Sequence, residues 1–150
     1  YELEKELHIT LSKAQRLLLM ERGTVEGLLT VLQGRPIKVE VKYQSEDPTI
    51  FFRTTHLKDS LTNQVLVAAQ STVYKDHLSS GVLAELLERK LGIGEILGKH
   101  KVETQREILE IGYEPKTQSF YRTYGVFAQG WVWFRITESF SQLLYSSSGI

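Results

Sequence analysis

Past Pro36 the sequence changes period, and that change restricts its fold more than any other feature. Ile37, Val39, Val41 and Tyr43 alternate with Lys38, Glu40, Lys42 and Gln44. Successive side chains of a strand point to opposite faces, so this run has an apolar face and a wet one, as a half-exposed antiparallel strand requires. Similar runs at roughly 50–57, 65–74, 102–112, 119–128 and 131–140 bring the expected strand count to six. Ser45–Pro48, Lys58–Asn63 and Gln129–Gly130 read as tight connections. Short links favour neighbouring antiparallel strands over βαβ crossovers, so the expected class is α+β, a six-stranded antiparallel sheet flanked by helices.

The helices collect at the front and in the middle. Ser12 with Gln15 three residues on has capping-box spacing, and Leu17 to Met20 supply the apolar content. Glu21-Arg22-Gly23 breaks that helix. Val25, Leu28, Leu29 and Leu32 then mark one face of a second helix, closed by Gly34 and Pro36. Ser79 or Ser80 opens a third, with Val82, Leu83, Leu86, Leu87 and Leu91 as its stripe and Glu85–Arg89 as an outer i,i+4 pair. Gly92-Ile93-Gly94 interrupts it, and Ile96-Leu97 suggests one more helical turn. The chain reads as a single domain over 1–150, with 1–11 and 142–150 as flexible ends and a disordered Ser146–Gly149 tail.

Lys+Arg and Asp+Glu both number 18, so no net charge points to nucleic acid or an anionic membrane. Cysteine is absent, which removes disulfides, thiolate metal sites and cysteine nucleophiles and suits a reducing compartment. His8, His56, His77 and His100 are scattered without ligand spacing, so no metal site is expected. No stretch has the roughly 20 apolar residues of a membrane helix, and a cytoplasmic protein is expected. Trp131 and Trp133 share one face of the last strand and read as an outer packing surface.

Against that background Glu138 stands out. Val132, Phe134, Ile136 and Phe140 share its side of the last strand and are all apolar. An unpartnered buried charge is too costly, so this carboxyl must be paired with Arg135 or another base, protonated, or used. The run Phe51, Arg53, Thr55, Leu57 places a single cation in the same way. The planar guanidinium of Arg53 suits a carboxylate held bidentately. An acid and a base on inward strand faces suggest a site for a small ligand with a carboxylate at one end. Gly92-Ile93-Gly94 is a tight turn whose amides could meet an anion, and Gly23-Thr24-Val25 offers a second such turn. Without a third glycine or a βαβ frame, the first is no dinucleotide fingerprint.

Several segments, in order, resemble the chorismate pyruvate-lyases, most closely the branch found in cyanobacteria, plastids and archaea. They are Leu17-Leu18-Leu19-Met20-Glu21-Arg22-Gly23-Thr24-Val25, Phe52-Arg53-Thr54, Leu91-Gly92-Ile93-Gly94, Gln105-Arg106-Glu107-Ile108-Leu109-Glu110-Ile111-Gly112 and Ile136-Thr137-Glu138-Ser139-Phe140. The series covers roughly 15–141. The resemblance implies a chorismate lyase-like fold with the product enclosed beneath helical flaps. It further implies cofactor-free cleavage of chorismate to 4-hydroxybenzoate and pyruvate, in the cytoplasm or a plastid stroma. By position it gives Arg53 the product carboxylate, Glu138 the ring's oxygen end, and Ile93, beside Gly94, a backbone contact to that carboxylate. Thr24 or Val25 lies near a second such contact. Where some bacterial relatives carry an arginine this chain has Gln70, so the second carboxylate of chorismate calls for another cation, Arg122 or Arg135. The same fold also serves as an effector-binding domain in transcription regulators, which makes a non-catalytic sensor of small aromatic acids the alternative.

Overall fold

The computed structural model describes residues 2–8, 10–20 and 25–141. Its elements run α1 (Glu2–Leu7), α2 (Lys13–Met20), α3 (Val25–Gln33), β1 (Ile37–Gln44), β2 (Ile50–Asp59), β3 (Val65–Tyr74), a 3₁₀ turn (Lys75–His77), α4 (Ser80–Leu87), α5 (Ile93–Lys99), β4 (Gln105–Glu114), β5 (Ser119–Ala128) and β6 (Trp131–Ser141). The six strands form one open sheet in the order β1-β2-β3-β6-β5-β4, with every neighbouring pair antiparallel. Two three-strand meanders thus meet along β3 and β6, and the α4–α5 pair links them. The class is α+β.

Local chemistry accounts for the element boundaries. Both arms of the capping box form before α2: the Gln15 amide donates to Ser12 Oγ at 3.1 Å, and Gln15 Oε1 accepts from the Ser12 amide at 2.8 Å. Gly34 ends α3 at φ +69°, a left-handed position that glycine occupies without steric cost. Asp59 closes β2 by accepting from the Leu61 and Thr62 amides at 2.9 and 3.1 Å while its carboxylate takes the Arg35 guanidinium.

Four expectations are corrected. The third expected helix stops at Leu87, because Arg89 turns to φ 57° and leaves the helical path. Arg89 therefore pairs with Glu46 at 2.8 Å, and Glu85 pairs across to Lys99 of α5. The leading segment contains a helix, α1, held where Glu4 accepts from the Leu11 amide and from Arg16. The fourth strand starts at Gln105 rather than 102. Trp133 is buried, not an outer residue: Val132 pairs with Phe127 and Phe134 with Val126, leaving Trp133 as the extra residue of a bulge that carries it into the core. Trp131 stays 61% exposed, its ring 4.9 Å from that of His77. The segment 142–150 lies outside the described residues.

Helices cover one face of the sheet, where the core divides in two. Leu18, Leu19, Val25 and Leu29 of α2 and α3 pack with Leu57, Val67, Phe120 and Phe140. Val82, Leu86, Ile96 and Leu97 of α4 and α5 pack with Phe51, Val73, Tyr124, Phe134 and Ile136. Among the described residues no helix is long and apolar enough to cross a membrane.

Candidate functional site: a polar seam between two cores

Register decides what lies between those cores. One cross-strand row runs Val41, Thr55, Ala69, Glu138, Arg122, Ile111, and its neighbour runs Arg53, Ser71, Ile136, Tyr124, Ile108. In-phase antiparallel pairing keeps each row on one face of the pleat. Thr55, Arg53, Ser71, Glu138 and Arg122 thereby gather at the centre of the covered face with apolar rows on both sides. Neighbouring strands lie about 4.8 Å apart and strand residues about 3.3 Å, so Arg53 on β2 and Glu138 on β6, two strands across and two residues along, have backbones about 12 Å apart.

A cavity occupies this seam. Glu138, Ile136, Ala69, Ser71 and Thr55 form its floor; Val25 and Glu26 of α3, Gly92-Ile93-Gly94 at the start of α5, and Arg106 of β4 form its sides. It holds about 70 Å³. A benzene-sized guest sits in roughly 150 Å³, more than this cavity holds, so a bound ring needs further space at its open side or movement of the bordering helices.

Arg53 is 1% exposed and pairs across the strands with Ser71, which lines this cavity. Its Nη2 donates to the Leu91 carbonyl at 2.6 Å, directly before the Gly92–Gly94 turn. Its Nε and Nη1 are buried without a hydrogen-bond partner. Burial lowers its pKa to about 10, which leaves it a cation at neutral pH. Gln44, paired with Arg53 across the strands, donates its Nε2 to the Leu86 carbonyl at 3.1 Å, so both side chains anchor the α4–α5 connection. A buried guanidinium with two unmet donors is an anion site in waiting.

Glu138 finds its partner in Arg122: Nε lies 2.8 Å from Oε1, with both side chains buried. Arg135, the partner expected first, is exposed and belongs to the opposite face. Burial pushes the Glu138 carboxyl above its ordinary range, while Arg122, Arg106 and the Tyr124 hydroxyl pull it down. The guanidinium carbon of Arg122 sits 4.8 Å and that of Arg106 5.5 Å from the centre of the Tyr124 ring. Tyr124 is itself held protonated far above neutral pH, chiefly by burial.

Of the residues singled out in the sequence, Val25, Ile93, Gly94 and Glu138 line the cavity; Arg53 is not among its lining residues but is buried next to Ser71, which is. Thr24 lies outside the described residues. Gln70 does not belong here. It pairs with Thr54 and Thr137, one residue out of phase with Ala69 and Ser71, and is exposed on the other face in a groove with Phe52, Thr72 and Arg135. Of the two cations expected for a second carboxylate, Arg122 pairs with Glu138 through Nε and Arg135 is exposed on the opposite face. Arg106 stands in the cavity instead. Its inward position was readable from alternation with Ile108, but the bulge between Ile108 and Glu110 breaks the phase of that strand. Glu26 had no strong signal, because it lies just off the apolar stripe of α3. Among the described residues no cluster of His, Asp and Glu could hold a metal ion.

No protein-family model matches the chain, and comparison with curated proteins returns no match either.

Proposed function

We propose that this protein is a lyase that cleaves chorismate to 4-hydroxybenzoate and pyruvate. The observation that carries the proposal is the Arg53 guanidinium, buried with two unpartnered donors on the same sheet face as the buried Glu138 carboxyl, their backbones about 12 Å apart. Side chains that rise together from one face at that spacing can bracket a single aromatic ring bearing a carboxylate at one end and an oxygen at the other. In this reading Arg53 and the amides at Ile93 and Gly94 hold the ring carboxylate, and Glu138 meets the ring oxygen at the far end. Arg106 takes the second carboxylate of chorismate, in the place for which Gln70 is wrongly oriented.

The reaction draws its driving force from aromatisation, so the protein's task is to orient the substrate and stabilise developing charge. Cleaving the ether leaves negative charge on the departing enolpyruvyl oxygen, which the arginines on that side of the cavity attract. The hydroxyl-bearing ring carbon gives up its proton as the ring becomes aromatic, and the departing enolate takes up one proton to become pyruvate, so the elimination consumes no net proton. Glu138, held by Arg122, accepts from the ring hydroxyl. Burial of Arg53 and Glu138 beneath the helices that cover this face strengthens each of these contacts. Cytoplasm or a plastid stroma would be the setting.

Incubation with chorismate, monitored for 4-hydroxybenzoate by chromatography, tests the proposal. Absence of product across a range of buffers rejects it.

One observation favours a second reading. Glu138 is already bound to Arg122, which suits an orienting acceptor better than a free base. A sensor that binds 4-hydroxybenzoate without turnover would need no more. Tight binding of that acid together with unreactive chorismate selects the sensor.

A further inference from the structure

Glu26 lines the cavity and has no part in the reaction proposed above. It sits in the first turn of α3, where its backbone carbonyl accepts from Thr30 Oγ1 at 2.9 Å. Its carboxylate has no hydrogen bond or ion pair among the described residues. Its Oε2 lies 3.9 Å from the point where a β-carbon on Gly92 would stand, which puts the carboxylate against the Gly92–Gly94 turn. The Leu91 carbonyl just before that turn is the one Arg53 holds. Glu26 therefore borders the end of the cavity at which a ligand carboxylate would bind.

The surrounding charges frame what happens there. Burial raises the pKa of the Glu26 carboxylate, and repulsion from Glu95 of α5 adds to that effect. Arg106 of β4 and Arg53 of β2 are the cations on the cavity side. Glu138 of β6 is engaged by Arg122 of β5. From β1, Val39 approaches the Gly92 turn, and β3 contributes Ala69 and Ser71, all without charge. Two carboxylates side by side cannot both ionise cheaply, and a shared proton resolves the conflict.

We propose that Glu26 makes ligand binding proton-linked, so that the site takes its aromatic carboxylate together with one proton, which Glu26 carries and donates to the ligand. The inference rests on the placement of the ligand carboxylate in the proposed function. The balance is simple: solvent supplies one proton to Glu26, its O–H hydrogen-bonds to the ligand carboxylate, and the proton returns to solvent when the ligand leaves. No covalent bond of the ligand changes. Above the pKa of free Glu26 the affinity falls about tenfold per pH unit, as one linked proton requires.

Calorimetric titration of 4-hydroxybenzoate into the full chain, at one pH near neutral in phosphate and in Tris, measures this directly. The two buffers differ in ionisation enthalpy, so the difference in apparent binding heat counts protons taken up. Wild type is expected to take up close to one proton and Glu26→Gln close to none. Glu26→Gln should also bind with an affinity that is flat between about pH 6 and pH 8. Binding by wild type without proton uptake overturns the inference, and so does equal uptake by wild type and Glu26→Gln. Failure of 4-hydroxybenzoate to bind either protein, with chorismate unreactive, instead rejects the proposed function and this inference with it.

Discussion

Arg122 and Glu138 face each other across β5 and β6, Nε to Oε1 at 2.8 Å, at the centre of a sheet face that is otherwise apolar on both sides. Buried pairs of this kind are weak sources of stability but costly to break, because the surviving charge loses its partner. Arg122→Met is expected to destabilise the fold by ~3–5 kcal/mol in urea unfolding. Arg122→Met with Glu138→Leu should recover most of that loss, and a double variant no more stable than the single one would contradict the account. Glu138→Gln is expected to lower chorismate turnover, and unchanged turnover would remove the carboxylate from the chemistry.

Arg53 sets stability against function. Burial disfavours its charged form, so the unliganded protein bears a penalty at neutral pH that an apolar side chain would not. The folded pKa of about 10 lies below the ordinary value of 12.5, so this penalty is fully present below about 10 and is relieved as pH rises past it. Arg53→Met should therefore melt at or above the wild-type temperature while weakening 4-hydroxybenzoate binding by ~2–5 kcal/mol. Thermal melts with and without the acid test both halves; a variant that keeps wild-type affinity removes Arg53 from the site.

Acid sensitivity should trace to Asp59. The Arg35 guanidinium, aided by the Thr62 and Leu61 amides, holds its carboxyl well below the usual carboxylate range. A depressed folded pKa stabilises above the unfolded value, and that stabilisation is lost as pH falls below about 4. Glu40, drawn down to about 2 by Lys58 and Lys42, acts in the same sense. Glu138, raised by burial, acts in the opposite one. Asp59→Asn should thus lower the melting temperature at neutral pH, and its gap to wild type should begin to narrow as pH falls below about 4, closing only well below the ordinary carboxylate range. A gap that stays constant over that range would exclude this origin.

The cavity of about 70 Å³ is smaller than an aromatic ring occupies, so ligand entry is expected to shift the bordering helices. Hydrogen exchange should show 4-hydroxybenzoate slowing the amides of α5 and of the first turn of α3, with β1 at the sheet edge unchanged. Protection confined to the exposed face around Gln70 and Arg135 would relocate the site.

Much of this layout was legible before any coordinates. Alternation alone placed six strands and turned Arg53 and Glu138 inward, because side-chain parity is fixed once a strand is fixed. Parity also explains what failed. Gln70 is placed in the site only by the resemblance, and a one-residue slip along a strand moves a side chain to the other face. Trp133 escaped because a bulge adds a residue and reverses the parity around it, which no simple alternation reveals. The Arg122–Glu138 pair was hidden for another reason: cross-strand partners depend on register between distant segments, and Arg135 was nearer in sequence. Glu26 needed the tertiary position of a helix, to which periodicity within the helix is blind.

The division of the core has a thermodynamic consequence. The two apolar clusters share a hydrogen-bonded backbone sheet but meet, side chain to side chain, across charged and hydroxyl groups rather than through continuous hydrocarbon. Each half can therefore loosen with less penalty to the other than in an undivided interior. A molecule seated in the seam would touch both halves at once and make their melting a single event, so its binding would register as sharper cooperativity as well as a higher midpoint.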